Sequence, residues 1–238
     1  MNYIKRKINK IKYKFHMKGV SDLHYDTANL INSGFKSQYG QDRFVFEEIF
    51  KGQKAGFFLD IGAHDGITFS NTAYFESVGW DGVTVEPNPS VFSQLNRNRN
   101  CQKFNGCITS KSGNVNFRKI SGYSEMLSGV VETYDNRHIS RINNEILDKG
   151  GSYTDISVPC LSFRDLVSQY QIEKINFLSI DVEGGELEIL QNIDFNLLVI
   201  DVVAVENNYG DYQIPKLMKE NGYEPKVRKG DEIYIKSF

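Results

Sequence analysis

The chain has 238 residues, 40% of them hydrophobic, enough to close one sizeable α/β core. The formal net charge is −2, but residues 1–18 hold seven Lys/Arg and no acid, and the other 21 basic and 30 acidic residues make an acidic body, which argues against a general nucleic-acid binder. Three cysteines (Cys101, Cys107, Cys160) without a C-x-x-C pair, no apolar run near the ~20 residues of a membrane span and no secretory leader argue against a disulfide scaffold and a spanning helix and predict a cytoplasmic location.

In residues 1–18, Ile4, Ile8, Ile11 and Phe15 share one helical face, and Lys5, Arg6, Lys7, Lys10, Lys12 and Lys14 occupy the others. Two readings of this basic amphipathic helix stand. It contacts an anionic membrane, at the inner membrane face, or an acidic partner; alternatively it packs on its own body through the Ile/Phe stripe. With its connector it makes a segment 1–36 distinct from the domain 37–238.

Ser37-Gln38-Tyr39-Gly40-Gln41-Asp42 predicts a loop leading into a helix. Phe57–Ile61 and Asp81–Glu86 are short apolar runs that predict strands buried on both faces, with a helix from about Thr68 to Ser77 between them. A third strand is expected around Lys103–Ile108 and a polar edge strand over Asn114–Ile120. Residues 121–154 show little periodicity, and so long a connection predicts a lid over a substrate. Strands over Ile156–Leu161, Ile175–Asp181 and Leu197–Glu206 alternate with a helix capped by Ser162 and one near Gly185–Gln191. A helix near Ile214–Asn221 and a hairpin turning at Lys229-Gly230-Asp231 end the chain. Alternating strands and helices predict a largely parallel, doubly wound sheet with one antiparallel strand near its edge.

A strand ending in Asp60-Ile61-Gly62 and turning through Ala63-His64-Asp65 to Gly66 brings backbone close to a ligand at a strand's carboxyl end. A dinucleotide is disfavoured because the middle glycine of G-x-G-x-x-G is absent and Asp60 and Asp65 repel a pyrophosphate. S-adenosylmethionine, with a sulfonium, an ammonium and no phosphate, suits an acidic loop. Glu86 stands 26 residues after Asp60, where an acid accepts ribose hydroxyls. An NAD-dependent oxidoreductase or epimerase and a non-catalytic scaffold at a membrane are the alternatives.

Asp181 ends another strand, with Glu183 and Glu186 one turn on. Asp181, then Glu183 and His138, are the candidate general bases, Glu186 is expected to cap its helix, and Glu206 and Asn207 are placed near an acceptor. Carboxylates could also hold a divalent ion, but no His/Cys cluster supports a transition metal and no metal is assigned.

The set Ser37–Asp42, Leu59–Gly66, Val85-Glu86-Pro87-Asn88-Pro89 and Ile180–Glu186 resembles the FkbM family of S-adenosylmethionine-dependent methyltransferases, from about Ser37 to Phe238. The resemblance implies a Rossmann-like α/β fold with a seven-stranded, mostly parallel sheet and flanking helices. It also implies O-methylation of a sugar, glycan or related natural product. By the same resemblance Gln38, Tyr39, Gln41 and Asp42 close over the cofactor, and Asp60, Gly62, His64 and Asp65 surround its methionine part. Glu86 holds the ribose, with Cys107 and Ile108 on the adenine side. It leaves the acceptor and the oligomeric state unspecified.

Overall fold

The computed structural model describes residues 3–237, apart from the side chains of residues 3, 4, 27, 28 and 31. Four apolar runs form the centre of the main sheet: β2 (Phe57–Ile61), β3 (Asp81–Val85), β9 (Lys174–Ile180) and β10 (Val199–Glu206). They lie parallel, with Leu59 opposite Val83 on one side and Leu178 on the other. Because side chains alternate along a strand, Leu59, Ile61, Val83, Leu178 and Val203 enter one core with Leu166, Ile189 and Met218. Phe58, Phe177, Val202 and Ala204 enter the other with Phe46, Phe75 and Trp80. Covering both faces explains why these runs are apolar throughout.

β4 (Gln102–Phe104) extends the sheet beside β3. The C-terminal hairpin β11 (Tyr223–Lys229) and β12 (Asp231–Lys236) closes the other side, with β12 antiparallel to β10. The two-residue β1 (Ser21–Asp22) pairs outside β11, so the sheet has eight strands, in the order β1-β11-β12-β10-β9-β2-β3-β4. The fold is therefore mixed α/β, and the expected seven-stranded sheet is corrected to eight.

The expected third strand divides. Its second half, β5 (Cys107–Thr109), joins β6 (Gly113–Ser121), β7 (Gly129–Val130) and β8 (Ser152–Ser162) in a separate four-stranded sheet. Residues 121–154 are also more ordered than their weak patterning predicts. They hold α6 (Asn136–Lys149), capped by Asp135 accepting from the Arg137 N–H and ended at Gly150 with φ 75°. The cap and stop signals outweigh the sparse apolar spacing, in which Ile142 alone of the helix's isoleucines is fully buried.

Among the other helices, α7 (Phe163–Gln169) is capped by Ser162 as expected. α8 (Glu186–Gln191) and α9 (Gln213–Glu220) match their expected positions within a residue or two. The helix foreseen over Thr68–Ser77 shortens to α4 (Ala73–Ser77). The amphipathic helix α1 (Tyr3–His16) does pack on the body, but not through its Ile/Phe stripe. Asn9 donates to the Gly210 carbonyl and Tyr13 to Glu232, whereas Ile8, Ile11 and Phe15 are exposed. Ile4 of that stripe lies outside the described side chains. Among the described residues no helix is long and apolar enough to cross a membrane.

Candidate functional site

The carboxyl ends of β2, β3, β9 and β10 meet around a cavity of about 480 Å³, within the range of small-molecule sites. Strand order reverses between β2 and β9, and such switch points open the crevice in which doubly wound sheets bind ligands. Residues of the 121–154 segment roof the cavity, including Glu125, Met126, Gly129, Thr133 and Arg141.

The turn after β2 owes its shape to contacts within the protein. Gly62 has φ 92°, and a Cβ there would stand 1.7 Å from the Asp181 carbonyl oxygen. Its glycine thus lets the ends of β2 and β9 approach, besides lining the cavity. Asp60 is buried, lines the cavity and accepts from the Thr72 hydroxyl at 2.6 Å. Burial raises its pKa, against the pull of Thr72 and Arg99. Asp65, expected at the cofactor, lies outside the cavity wall. It ties the turn instead, accepting from the N–H groups of Ile67 and Thr68 and from the Thr68 hydroxyl.

Glu86 follows β3, and its carboxylate is aimed by two backbone donors, His64 N–H at 3.0 Å and Asn88 N–H at 2.7 Å. Burial pushes its pKa up to about 7 despite both bonds. Cys107 and Ile108 line the wall nearby, and burial, followed by the Glu86 charge, raises the Cys107 thiol.

Of the loop before α3 (Gln41–Phe44), Gln38, Tyr39 and Gln41 line the cavity and Asp42 does not. Fully buried, Asp42 gathers the Ser37 hydroxyl and the N–H groups of Lys36, Ser37 and Arg43. Gln41 reaches across to donate to the Lys229 carbonyl and to Asp231. Asp231 also accepts from Asn71 at 2.8 Å, lines the cavity, and is raised by burial to about 6. From sequence it was only a turn residue, because nothing local shows that the hairpin tip meets Gln41 and Asn71. Arg99 was likewise missed. It is 3% exposed and donates to Gly66, Ser70, Thr72 and Glu76 beneath the turn.

Opposite Glu86, carboxylate oxygens of Asp181, Glu183 and Glu206 lie within 4.8 Å of one another. Asp181 is exposed at the cavity; the protein mass around it, then the charges of Glu183 and Asp231, push it well above the usual carboxylate range. Burial raises Glu183 to about 7, opposed by Arg141, and Glu183 adopts a left-handed φ of 58°. Three such oxygens could bind a divalent cation or an ammonium group, or accept a proton. His138 lies outside the cavity wall, 1% exposed. Its Nε2 sits 3.1 Å from the Leu127 carbonyl, which can only accept, so Nε2 carries the proton. Nδ1 is left facing Glu183 at 3.4 Å, a place behind the candidate base. Glu186, expected to cap its helix, instead ties the turn before it, accepting from the Val182 and Gly184 N–H groups.

Two properties of the cavity constrain its ligand. Eight carboxylates line it (Asp60, Glu86, Asp181, Glu183, Glu206 and Asp231, with Glu125 and Glu188) against one guanidinium, Arg141. Among the described residues, the buried side-chain polar atoms without a partner are both ring nitrogens of His64, Asn71 Oδ1 and Asn88 Nδ2, and all three residues line the cavity. An unmade buried hydrogen bond costs about 1–3 kcal/mol, so these groups are poised for a polar ligand.

A doubly wound α/β domain with an acidic, polar cavity at its strand-order switch is the class of protein that this geometry defines. The sequence matches the methyltransferase FkbM domain family over residues 60–225, and the chain belongs to that family. The structure is similar to methyltransferase FkbM from Methylobacillus flagellatus KT, with TM-score 0.52 and 10% identity over 98% of this chain. The alignment spans 60% of that protein, and at this identity it speaks to the fold alone. A TehB-like SAM-dependent methyltransferase from Corynebacterium glutamicum ATCC 13032 aligns at TM-score 0.41 and 11% identity, over 99% of this chain and 100% of that one; so low a score carries no argument. No curated protein matches the sequence.

Proposed function

We propose that the chain is an S-adenosylmethionine-dependent O-methyltransferase whose acceptor is a hydroxyl of a sugar, glycan or related polar natural product. The observation that carries this reading is the acidic lining of the cavity, eight carboxyl groups to one guanidinium; desolvation raises six of them, and a bound cation favours their ionised form. That balance attracts a nucleoside bearing a sulfonium and an ammonium, cationic overall despite its own carboxylate, and repels a pyrophosphate, which counts against the oxidoreductase alternative. The unpartnered atoms of His64, Asn71 and Asn88 give such a cofactor hydrogen-bonding partners, and family membership supports the chemistry.

In this reading Glu86, held by the His64 and Asn88 N–H groups, accepts from the ribose hydroxyls, and Cys107 and Ile108 pack beside the base. Asp60, His64 and the Gln38–Gln41 loop enclose the methionine part. The bound cofactor supplies an electrophilic methyl group on a sulfonium. The protein's task is then to hold the acceptor hydroxyl in line and to take its proton. The Asp181–Glu183 pair is assigned that role. Glu183, raised to about 7, is matched to proton transfer near neutrality. His138 is a positioning residue behind it. Glu206 lines the side left for the acceptor with Asn208, in place of the expected Asn207, whose side chain donates to the Asp211 carbonyl and to Glu232.

Calorimetric titration with S-adenosylmethionine tests the reading. Binding is expected, weakened at least about tenfold in Glu86→Ala by loss of charge-assisted bonds. No binding by the intact chain, or tight binding of NAD in its place, would overturn it.

A further inference from the structure

Helix α1 presents two faces with different destinations. At about 100° per residue, Asn9, Tyr13 and Met17 fall on one side, and Ile8, Ile11 and Phe15 on the opposite side. The first side is the seat. Asn9 donates to Gly210 at 2.8 Å, Tyr13 to Glu232 at 2.6 Å, and Met17 is buried beside Tyr234. The second side points away from the body, with Ile8 46%, Ile11 61% and Phe15 75% exposed. Lys5 and Lys12 border this apolar stripe on one edge and Lys7 and Lys14 on the other, all exposed.

We propose that α1 is a docking element for an anionic lipid bilayer, lying in the interface with the Ile/Phe stripe in the headgroup–acyl boundary and the lysines among lipid phosphates. Three observations select this occupant. The stripe is not spent on folding, because the helix is already anchored by its other face. Its rims are cationic on both edges, which is the composition of surface-seeking helices. The helix carries no acid to answer those lysines, so pairing stripe to stripe with a second copy would set like charges against each other. The seat also ties the helix to the site, since Gly210, its anchor, lies two residues from the cavity-lining Asn208. Docking through α1 would therefore hold the cavity rim close to the bilayer.

Sedimentation of the full chain with vesicles tests this. Vesicles of phosphatidylcholine with phosphatidylglycerol are expected to bind at least about tenfold more protein than pure phosphatidylcholine, with the excess falling at high salt. Ile8→Ala/Ile11→Ala/Phe15→Ala keeps the charges, the helix propensity and the seat, and is expected to lower vesicle binding at least about tenfold. An unchanged melting temperature confirms that this variant is folded. Equal binding by the variant, or no binding by the intact chain, would overturn the proposal. So would a stripe-dependent dimer in sedimentation velocity that binds no vesicles.

Discussion

The Cβ that Gly62 lacks would stand 1.7 Å from the carbonyl oxygen of Asp181, so the glycine loop and the strand end bearing a candidate base are in backbone contact. The Asp181 N–H also donates to the Ile61 carbonyl at 2.9 Å. Gly62→Ala meets both a left-handed φ of 92° and an immovable backbone atom. We expect a loss of about 3 kcal/mol or more, measured by urea unfolding, with ligand binding impaired in whatever fraction remains folded. Gly52→Ala, also at positive φ (79°) but with no atom within 4 Å of its would-be Cβ, is expected to cost no more than about 1–2 kcal/mol.

Glu86 allows a sharper test through charge alone. Glu86→Gln keeps the shape but turns an amide group toward backbone donors that a carboxylate now satisfies. Cofactor affinity should fall at least about tenfold. In the native protein, affinity for a cationic nucleoside should rise with pH through about 7 as Glu86 ionises. Titrations on either side of neutrality check both expectations; a flat profile excludes Glu86 from the binding charge.

The same burial predicts how stability responds to pH. Glu86 and Glu183 are raised to about 7 and Asp231 to about 6, from ordinary values of 4.5, 4.5 and 3.8. Between ordinary and raised values the native state holds more protons than the unfolded chain, so its stability falls as pH rises through that window. Scanning calorimetry should find the ligand-free melting temperature several degrees lower at pH 8 than at pH 5. Glu86→Gln should flatten part of the slope.

Arg99 is expected to matter more for folding than for chemistry. With 3% exposure and donors to Glu76, Gly66, Ser70 and Thr72, its removal leaves Glu76 and the Asp60–Thr72 pair without their cation. Arg99→Leu should cost about 3–5 kcal/mol in denaturant unfolding, whereas Arg97→Leu on the exposed flank of α5 (Pro89–Asn98) should be nearly neutral.

If Glu183 takes the acceptor's proton, turnover of a competent acceptor should rise with pH through about 7. Glu183→Gln should lower kcat by about 10²–10⁴ while S-adenosylmethionine still binds in calorimetry. Loss of binding to the same extent as loss of turnover would move Glu183 from the chemistry to the cofactor cradle.

The sequence by itself determined the strands that carry the site. Phe57–Ile61, Asp81–Glu86, Ile175–Asp181 and Leu197–Glu206 are apolar because both sheet faces are covered, and runs this short, the first two ended by glycine or proline, read as buried strands. Glu86, Asp181 and Glu183 were legible for the same reason, since each sits at such a strand's carboxyl end. Only the tertiary structure placed Asp231 in the cavity wall and Arg99 beneath the turn after β2, through contacts with residues far away in the chain. It likewise drew Asp42, Asp65 and His138 away from the cavity wall, because a short acid or imidazole beside free backbone groups is satisfied locally before it reaches a ligand. For α1, periodicity identified the Ile/Phe stripe, but two faces of one helix can both bind. Which of them met the body was decided by Asn9 and Tyr13 finding partners at Gly210 and Glu232, more than 200 residues away.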